Sequence, residues 1–221
     1  HEPIGVVAAF TSWNFPVVLA ARKIAPALAA GCSVILLPAE EAPGSAMSLV
    51  QCLHEAGVPA GVINLINGSA DTISPVLLNE SRVRKISLTG SARVGKLLIK
   101  ASAETLKRTS MELGGHAPVI IYADADAEAI AEQAALVKFK HCGQVCASPS
   151  RYFIHESQAE AFTNKFIEIT QNFKLGNGME SGVDIGPLAT KKRLKEVELM
   201  VSGTLKSGAR LRLGGKRPER F

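Results

Sequence analysis

The stretch that decides the fold is VRKISLTGSARVGKLLIKASA, residues 83–103. It predicts a short strand over Arg84–Leu88, a glycine-containing turn at Thr89-Gly90-Ser91 and a helix over Ala92–Ala103. A strand that passes through a tight turn into a helix is part of a β-α-β unit. The stretch therefore predicts a parallel sheet whose strands are joined by helices.

The same alternation continues on both sides of this stretch. Continuous apolar runs are typical of parallel strands that are buried on both faces. The other strands predicted in this half are Ile4–Phe10, Ser33–Leu37, Val62–Ile66 and Arg108–Glu112, and the helices are Val17–Ala30, Pro43–Ala56 and one around Thr72–Leu78. The sequence thus predicts an α/β fold with a doubly wound parallel sheet and helices on both faces.

The pair Gly114-Gly115 interrupts this pattern and predicts a domain boundary, with one domain over residues 1–113 and another over 114–221. The second domain is expected to contain only the first part of its fold. Its predicted strands are Val119–Tyr122, Arg151–His155 and Ala209–Leu213, and its helices are one that runs toward Lys140, Gln158–Phe173 and Lys191–Lys206.

Composition and charge exclude several classes of protein. The chain has 221 residues, of which 47% are hydrophobic and 20% are charged, as in ordinary globular proteins. No apolar run reaches the roughly 18 residues of a membrane helix. The net charge of +5 arises in residues 191–221, which hold ten Lys or Arg and three Glu with almost no aromatic residues, so a solvated helix face is favoured over a nucleic-acid groove. Four cysteines without secretory features predict a reducing, cytoplasmic compartment.

Two motifs follow predicted strands at the edge where α/β sheets bind ligands. In Thr89-Gly90-Ser91-Ala92-Arg93-Val94-Gly95, outward-pointing backbone N–H groups, the Ser91 hydroxyl and the helix dipole suit a phosphate, and Gly95 allows close helix packing. A plain tight turn is the alternative. In Thr11-Ser12-Trp13-Asn14-Phe15-Pro16, the amide of Asn14 could donate to an oxyanion, whereas the alternatives are an Asx turn or a helix N-cap.

Two further residues are candidates for acid–base or nucleophilic chemistry. Glu112 ends a strand before two glycines, and partial burial there would suit it to general-base work; a carboxylate that caps the next turn is the alternative. Cys146 lies in a glycine-containing turn after a helix and could be a nucleophile, or an inert buried thiol. Cys142 and His141 leave three other hypotheses: a zinc site, a base for Cys146 and a Cys142–Cys146 redox switch. No second ligand cluster supports the metal, so none is predicted.

The motifs Asn-Phe-Pro, Pro-Ala-Glu, Thr-Gly-Ser, Glu-Leu-Gly-Gly and Gly-Gln-x-Cys occur in this order along the whole chain. In this combination the sequence resembles the aldehyde dehydrogenase superfamily, and most of all its succinate-semialdehyde branch. The resemblance implies a Rossmann-like nucleotide-binding domain over 1–113 and the first part of a catalytic domain over 114–221. It further implies that the chain is a fragment, without the N-terminal segment, the C-terminal Glu-x-Phe-Gly-Pro motif and the strand used in oligomerisation.

The resemblance also implies roles for individual residues. Cys146 would attack the aldehyde carbon, Asn14 would hold the oxyanion, Glu112 would activate water to hydrolyse the thioester, and Lys23 would relay protons. The cofactor would be NAD, or else NADP, since a carboxylate at Glu40 repels a 2′-phosphate. The positions implied to bind the cofactor are Ser12, Trp13, Glu40, Gly68, Thr89, Gly90, Ser91 and Leu113.

Two residues of the sequence depart from the family pattern. Leu37 stands where the family has a ribose-binding lysine, and His141 stands where it has Asn before Gly-Gln-x-Cys. Arg151 could steer a carboxylate-bearing aldehyde or form a structural salt bridge. The implied partners are a small aldehyde and further copies of the chain, as a homodimer or homotetramer, with no nucleic acid or membrane. A non-catalytic nucleotide-binding or structural remnant of the family is the alternative function.

Overall fold

A computed structural model describes residues 2–218 of the chain. These residues form two compact units, with the division after Gly114. The first unit contains a five-stranded sheet in the order β3-β2-β1-β4-β5, in which all neighbouring strands are parallel. Its elements are β1 (Val6–Phe10), α1 (Pro16–Ala29), β2 (Ser33–Leu37), α2 (Pro43–Glu55), β3 (Ile63–Leu65), α3 (Ala70–Asn79), β4 (Val83–Gly90), α4 (Ala92–Ala103) and β5 (Arg108–Leu113). The predicted α/β alternation is confirmed.

Successive residues of the strands pack against opposite layers of helices. In β1, Ala9 packs with Ala20 and Ile24 of α1 on one face, whereas Ala8 and Phe10 pack in the core of the other face. That second core also contains Leu77 and Leu78 of α3 and Leu98 of α4. Because a strand points alternate side chains to opposite faces, two apolar cores form and the sheet is doubly wound.

The second unit pairs two parallel strands and packs them against helices. Its elements are β6 (Pro118–Ile121), α5 (Ala127–Phe139), a 3₁₀ turn (Lys140–Gly143), β7 (Arg151–Ile154), α6 (Glu156–Thr170) and α7 (Lys191–Lys206). Its core joins Ile121 to Ala131 of α5 and Phe162 of α6. Asp126 caps α5, since its carboxylate accepts a hydrogen bond from the Ala129 N–H.

The prediction of a last strand over Ala209–Leu213 is wrong. These residues form no strand, and both Leu211 and Leu213 are exposed. A strand needs a neighbour for its backbone hydrogen bonds, and no described strand of residues 2–218 pairs with this segment. Alternating leucines and arginines were therefore a misleading signal.

Residues 2–218 contain neither a membrane-spanning helix nor a metal-binding cluster. No helix among them is both long enough and apolar enough to cross a membrane. No group of three or more His, Cys, Asp or Glu side chains within the same residues is arranged to hold a metal ion.

Candidate active site

The sheet of the first unit has a switch point between β1 and β4. From β1 the chain proceeds to β2 and β3 on one side, and it then returns to β4 and β5 on the other. The helices that follow β1 and β4 pack on opposite faces, so their connecting turns diverge at the carboxyl edge. Ligands of open α/β sheets bind in the crevice that such diverging turns leave. The segment 11–15 and the Gly90-Ser91 turn border this crevice.

Ser91 is the N-cap of α4. Its hydroxyl oxygen accepts a hydrogen bond of 3.3 Å from the Val94 N–H. This contact uses a lone pair, so the hydroxyl proton can still be donated to an anion. The prediction that Gly95 allows close packing agrees with its position, because a Cβ atom there would lie 2.9 Å from Cδ2 of Leu113.

The side chain of Asn14 is oriented by Ser12. The Ser12 hydroxyl donates a hydrogen bond of 2.7 Å to the Asn14 amide oxygen, which identifies the accepting end of that amide and leaves its nitrogen end as the donor. The N-cap alternative is wrong, because α1 starts at Pro16 after Phe15, and no side chain caps it. Asn14 and Trp13 are both half-buried.

Lys23 is buried in α1 with its amine over the sheet. Its Nζ donates a hydrogen bond of 2.9 Å to the hydroxyl of Ser87 in β4. Burial lowers the pKa of Lys23 to about 8, while the Glu112 carboxylate acts in the opposite direction and the Lys85 charge acts in the same one. A lysine amine with this pKa exchanges protons readily near neutral pH.

Glu112 lies in β5 opposite Thr89 of β4, so it borders the end of the Thr-Gly-Ser motif. Its side chain is exposed, and the expectation of partial burial is therefore wrong for this chain. Its neighbours Met111 and Leu113 pack against the core beneath α3 and α4. By alternation Glu112 faces the other side of the sheet, which is the side that carries α1 and Lys23.

Glu40 lies beyond β2 and contacts the turn at the start of α3. One of its carboxylate oxygens accepts a hydrogen bond of 3.2 Å from the Ala70 N–H. Gly68 in that turn has φ +147°, and a Cβ atom there would lie 3.2 Å from Ile73. Leu37, where the resemblance implies a lysine, is only 3% exposed and belongs to the core with Phe10. The Leu37 side chain therefore packs within the apolar core of the sheet.

In the second unit, Cys146 is exposed in the loop between α5 and β7, so the alternative of an inert buried thiol is wrong for it. The turn before it is unusual, since His141, Cys142 and Gly143 have φ values of 53°, 58° and 70°. Side chains anchor this turn to a later segment: the Cys142 thiol donates to the Gly186 carbonyl at 3.1 Å, and the Gln144 side-chain oxygen accepts from the Ala189 N–H at 3.0 Å.

Arg151 and Cys142 lie on either side of Cys146 in the sequence. The guanidinium of Arg151 lies over the ring of Phe153, 5.8 Å from its centroid, which is a cation–π contact in place of the expected salt bridge. Burial raises the pKa of the Cys142 thiol, whereas Cys146 is exposed.

Sequence reasoning missed four residues that hold the candidates in place. Ser87 accepts the Lys23 amine, and Lys138 bonds the hydroxyls of Ser148 and Ser150, which follow Cys146. Ser87 could have been found from the strand register, since it lies on the same sheet face as Glu112. The contacts of Lys138 with Ser148 and Ser150 had no signal in the sequence.

Comparisons with known proteins agree with these features. The chain is 48% identical over 216 residues to a 3-sulfolactaldehyde dehydrogenase of Pseudomonas putida and 42% identical over 219 residues to an NADP⁺ succinate-semialdehyde dehydrogenase of Escherichia coli. These matches cover 98% and 99% of this chain but 44% and 45% of the two relatives. The chain thus spans less than half the length of the curated relatives it matches.

Solved structures extend the likeness to the fold. A crystal structure of succinate-semialdehyde dehydrogenase from Burkholderia pseudomallei matches 99% of this chain, and the chain covers 45% of it, with a TM-score of 0.95 and 44% identity. A betaine aldehyde dehydrogenase from Staphylococcus aureus, solved in complex with NAD⁺, has a TM-score of 0.95 and 36% identity; all of this chain and 44% of the other are covered. The family model for the aldehyde dehydrogenases matches residues 1–221, and the chain belongs to that family.

Proposed function

We propose that the whole protein oxidises an aldehyde to a carboxylic acid with NAD or NADP, through a covalent intermediate on Cys146. The observation that carries this proposal is the exposed Cys146 in an anchored turn, together with a buried lysine amine and an exposed carboxylate on one face of the first unit's sheet. The two relatives that match 98% and 99% of this chain are named as dehydrogenases of aldehydes.

The residues of the first unit fit a dinucleotide. The Gly90-Ser91 turn offers backbone N–H groups and a capped helix N-terminus to a pyrophosphate, and Gly95 keeps α4 close to Leu113. Ser12, Trp13, Thr89 and Gly68 lie on turns or strand ends around the carboxyl edge, and Glu40 would accept hydrogen bonds from ribose hydroxyls. Bound nicotinamide supplies the acceptor for the hydride that the substrate loses.

The chain's own groups supply the remaining chemistry. The Cys146 thiolate adds to the aldehyde carbon, and the Asn14 amide would donate to the resulting oxyanion of the thiohemiacetal. Loss of hydride leaves a thioester. Glu112 takes a proton from the water that attacks this thioester, and the products are the free acid and the Cys146 thiol. Lys23, whose pKa is about 8, would pass the proton from Glu112 toward solvent.

For the substrate we propose an aldehyde with an anionic group at its far end, of which succinic semialdehyde is the simplest. Both curated relatives above are named for such substrates, one carboxylated and one sulfonated. We also propose that the whole protein is a homo-oligomer in the cytoplasm, where a reducing milieu keeps Cys146 as a thiol.

The test is aldehyde-dependent NADH or NADPH formation by the whole protein, with succinic semialdehyde and uncharged butanal as matched substrates. Cys146→Ala should abolish turnover, and Cys52→Ala, at another exposed cysteine, should leave it unchanged. We expect a kcat/KM for succinic semialdehyde at least tenfold above that for butanal. Equal values would reject the substrate class alone, and no turnover with either aldehyde would reject the activity and favour a non-catalytic remnant.

A further inference from the structure

Lys138 makes contacts that tie the last turn of α5 to the segment after Cys146. Its Nζ lies 3.3 Å from the hydroxyl of Ser148 and 3.3 Å from that of Ser150. Burial lowers the pKa of Lys138. A half-buried lysine that reaches two side chains of one loop is therefore a structural tie and differs from the solvated lysines of this chain.

The donors and acceptors of this cluster match. The Ser148 hydroxyl donates to the carbonyl of Lys138 at 3.2 Å, and the Ser150 hydroxyl donates to the carbonyl of Ser148 at 3.1 Å. Each hydroxyl has one proton, so both oxygens are left to accept from the Lys138 ammonium. Ser148 is only 3% exposed. Without the Lys138 ammonium, its hydroxyl oxygen would lose the hydrogen bond that it accepts, and water could not easily reach it to replace that bond.

Lys138 also lies close to the chain before Cys146. A Cβ atom at Gly143 would lie 3.3 Å from the Lys138 carbonyl oxygen and 3.9 Å from its Nζ. Beyond Cys146, the Ser150 N–H donates to the His116 carbonyl at 3.2 Å, just before β6. One residue of α5 thus bonds the loop after the proposed nucleophile and lies close to the loop before it.

We propose that Lys138 is a positioning residue, which holds Ser148 and Ser150 and thereby fixes the place of the Cys146 thiol for attack on the aldehyde. The inference rests on the proposed role of Cys146. A thiol displaced by about 1 Å can lose on the order of a hundredfold in rate, because the reacting atoms no longer meet in line. The effect should appear in kcat, since the hydrogen bonds of Lys138 described above all join it to other parts of the protein.

The test compares three variants of the whole protein. Lys138→Met keeps the apolar stem and removes the ammonium, Lys138→Arg keeps a charge, and Lys192→Met changes an exposed lysine at the start of α7 as a control. For Lys138→Met we expect kcat to fall roughly 10- to 100-fold with KM for the aldehyde within about twofold. Lys138→Arg should recover part of the loss, and Lys192→Met should match the wild type.

Hydrogen exchange gives a second measurement that needs no turnover. In Lys138→Met, the amides of residues 144–150 should exchange faster, while those of α6 should be unchanged. In a double-mutant cycle, Ser148→Ala should add little to Lys138→Met if the lysine acts through that serine. Three results would overturn the inference. In Lys138→Met, the amides of α6 could exchange faster by the same factor as those of residues 144–150, or the amides of residues 144–150 could exchange at the wild-type rate. In the double-mutant cycle, the losses of kcat from Lys138→Met and Ser148→Ala could be additive. Turnover of the wild-type protein reports separately on the proposed function.

Discussion

The amine of Lys23 in α1 and the hydroxyl of Ser87 in β4 are joined by a hydrogen bond of 2.9 Å across 64 positions of the chain. The lysine approaches the sheet on the face that also presents Lys85 and Glu112, which together with burial set its pKa at about 8. Burying a lysine cation between a helix and a strand costs stability. We therefore connect the Lys23–Ser87 contact with the proposed role of Lys23 in proton transfer.

The first prediction follows from the pKa of Lys23, which falls from 10.5 to about 8 on folding. Below pH 8 both folded and unfolded chains carry the proton, so the cost of burying the charge is fully present. Between pH 8 and 10.5 only the unfolded chain keeps it, so stability rises with pH. The denaturation midpoint of wild type relative to Lys23→Met should rise across this range, while the midpoint relative to Lys96→Met, at an exposed lysine, should not. A flat difference for Lys23→Met would contradict the burial of its charge.

A second prediction concerns the reactivity of the two cysteines near the active-site turn. Cys146 is exposed, whereas burial raises the pKa of the Cys142 thiol and its proton is donated to Gly186. We expect iodoacetamide at pH 7.5 to label Cys146 at least tenfold faster than Cys142. Peptide mass spectrometry over a time course measures both rates in one sample. Faster labelling of Cys142 would show that the turn is not anchored as described.

The close contact of α4 with β5 gives a third prediction. At Gly95 an added Cβ would meet Leu113 at 2.9 Å, so Gly95→Ala should cost about 1–3 kcal/mol of stability and weaken dinucleotide binding. Gly44→Ala, in α2, has open space around the new methyl group and should change stability by less than about 1 kcal/mol. Urea denaturation of the two variants provides the comparison, and equal stabilities would mean that α4 can move away from Leu113 at no cost.

The fourth prediction tests cofactor preference. Glu40→Gln removes the charge that would repel a 2′-phosphate, yet its amide oxygen can still accept from the Ala70 N–H. The ratio of kcat/KM for NADP to that for NAD should rise about tenfold or more. Glu41→Gln, at the exposed neighbouring carboxylate, is the matched control and should leave the ratio near that of the wild type. An unchanged ratio in Glu40→Gln would place the discrimination elsewhere.

Sequence patterns predicted β1 and β2 because each is a short apolar run followed by a turn and a helix. The strand ends differ by only a few residues: β4 was expected over Arg84–Leu88 and extends over Val83–Gly90. For β1 and β2 the agreement arises because strands buried on both faces need continuous apolar residues. The segment 209–213 shows the limit of this reasoning, since its pattern suits a strand but nothing described pairs with it.

The candidate site was only partly predictable. Residues with reactive groups, such as Cys146 and Glu112, can be read from their chemistry and their place after a helix or strand. The left-handed backbone of His141 and Cys142 could not be predicted, because neither is glycine and the strain is offset by contacts some 45 residues away. Lys138 looks like any lysine at a helix end until the turn brings Ser148 and Ser150 to it.

The most direct test of the account is to trap the acyl intermediate on Cys146. In the whole protein, Glu112→Gln should still form the thioester but hydrolyse it slowly, so one equivalent of NADH or NADPH should appear in a burst with succinic semialdehyde. Mass spectrometry of the quenched protein should then find the acyl group on the peptide that contains Cys146. A burst with acylated Cys146 is the result we predict. Undiminished steady-state turnover in Glu112→Gln, or an acyl group on any other residue, would contradict the account.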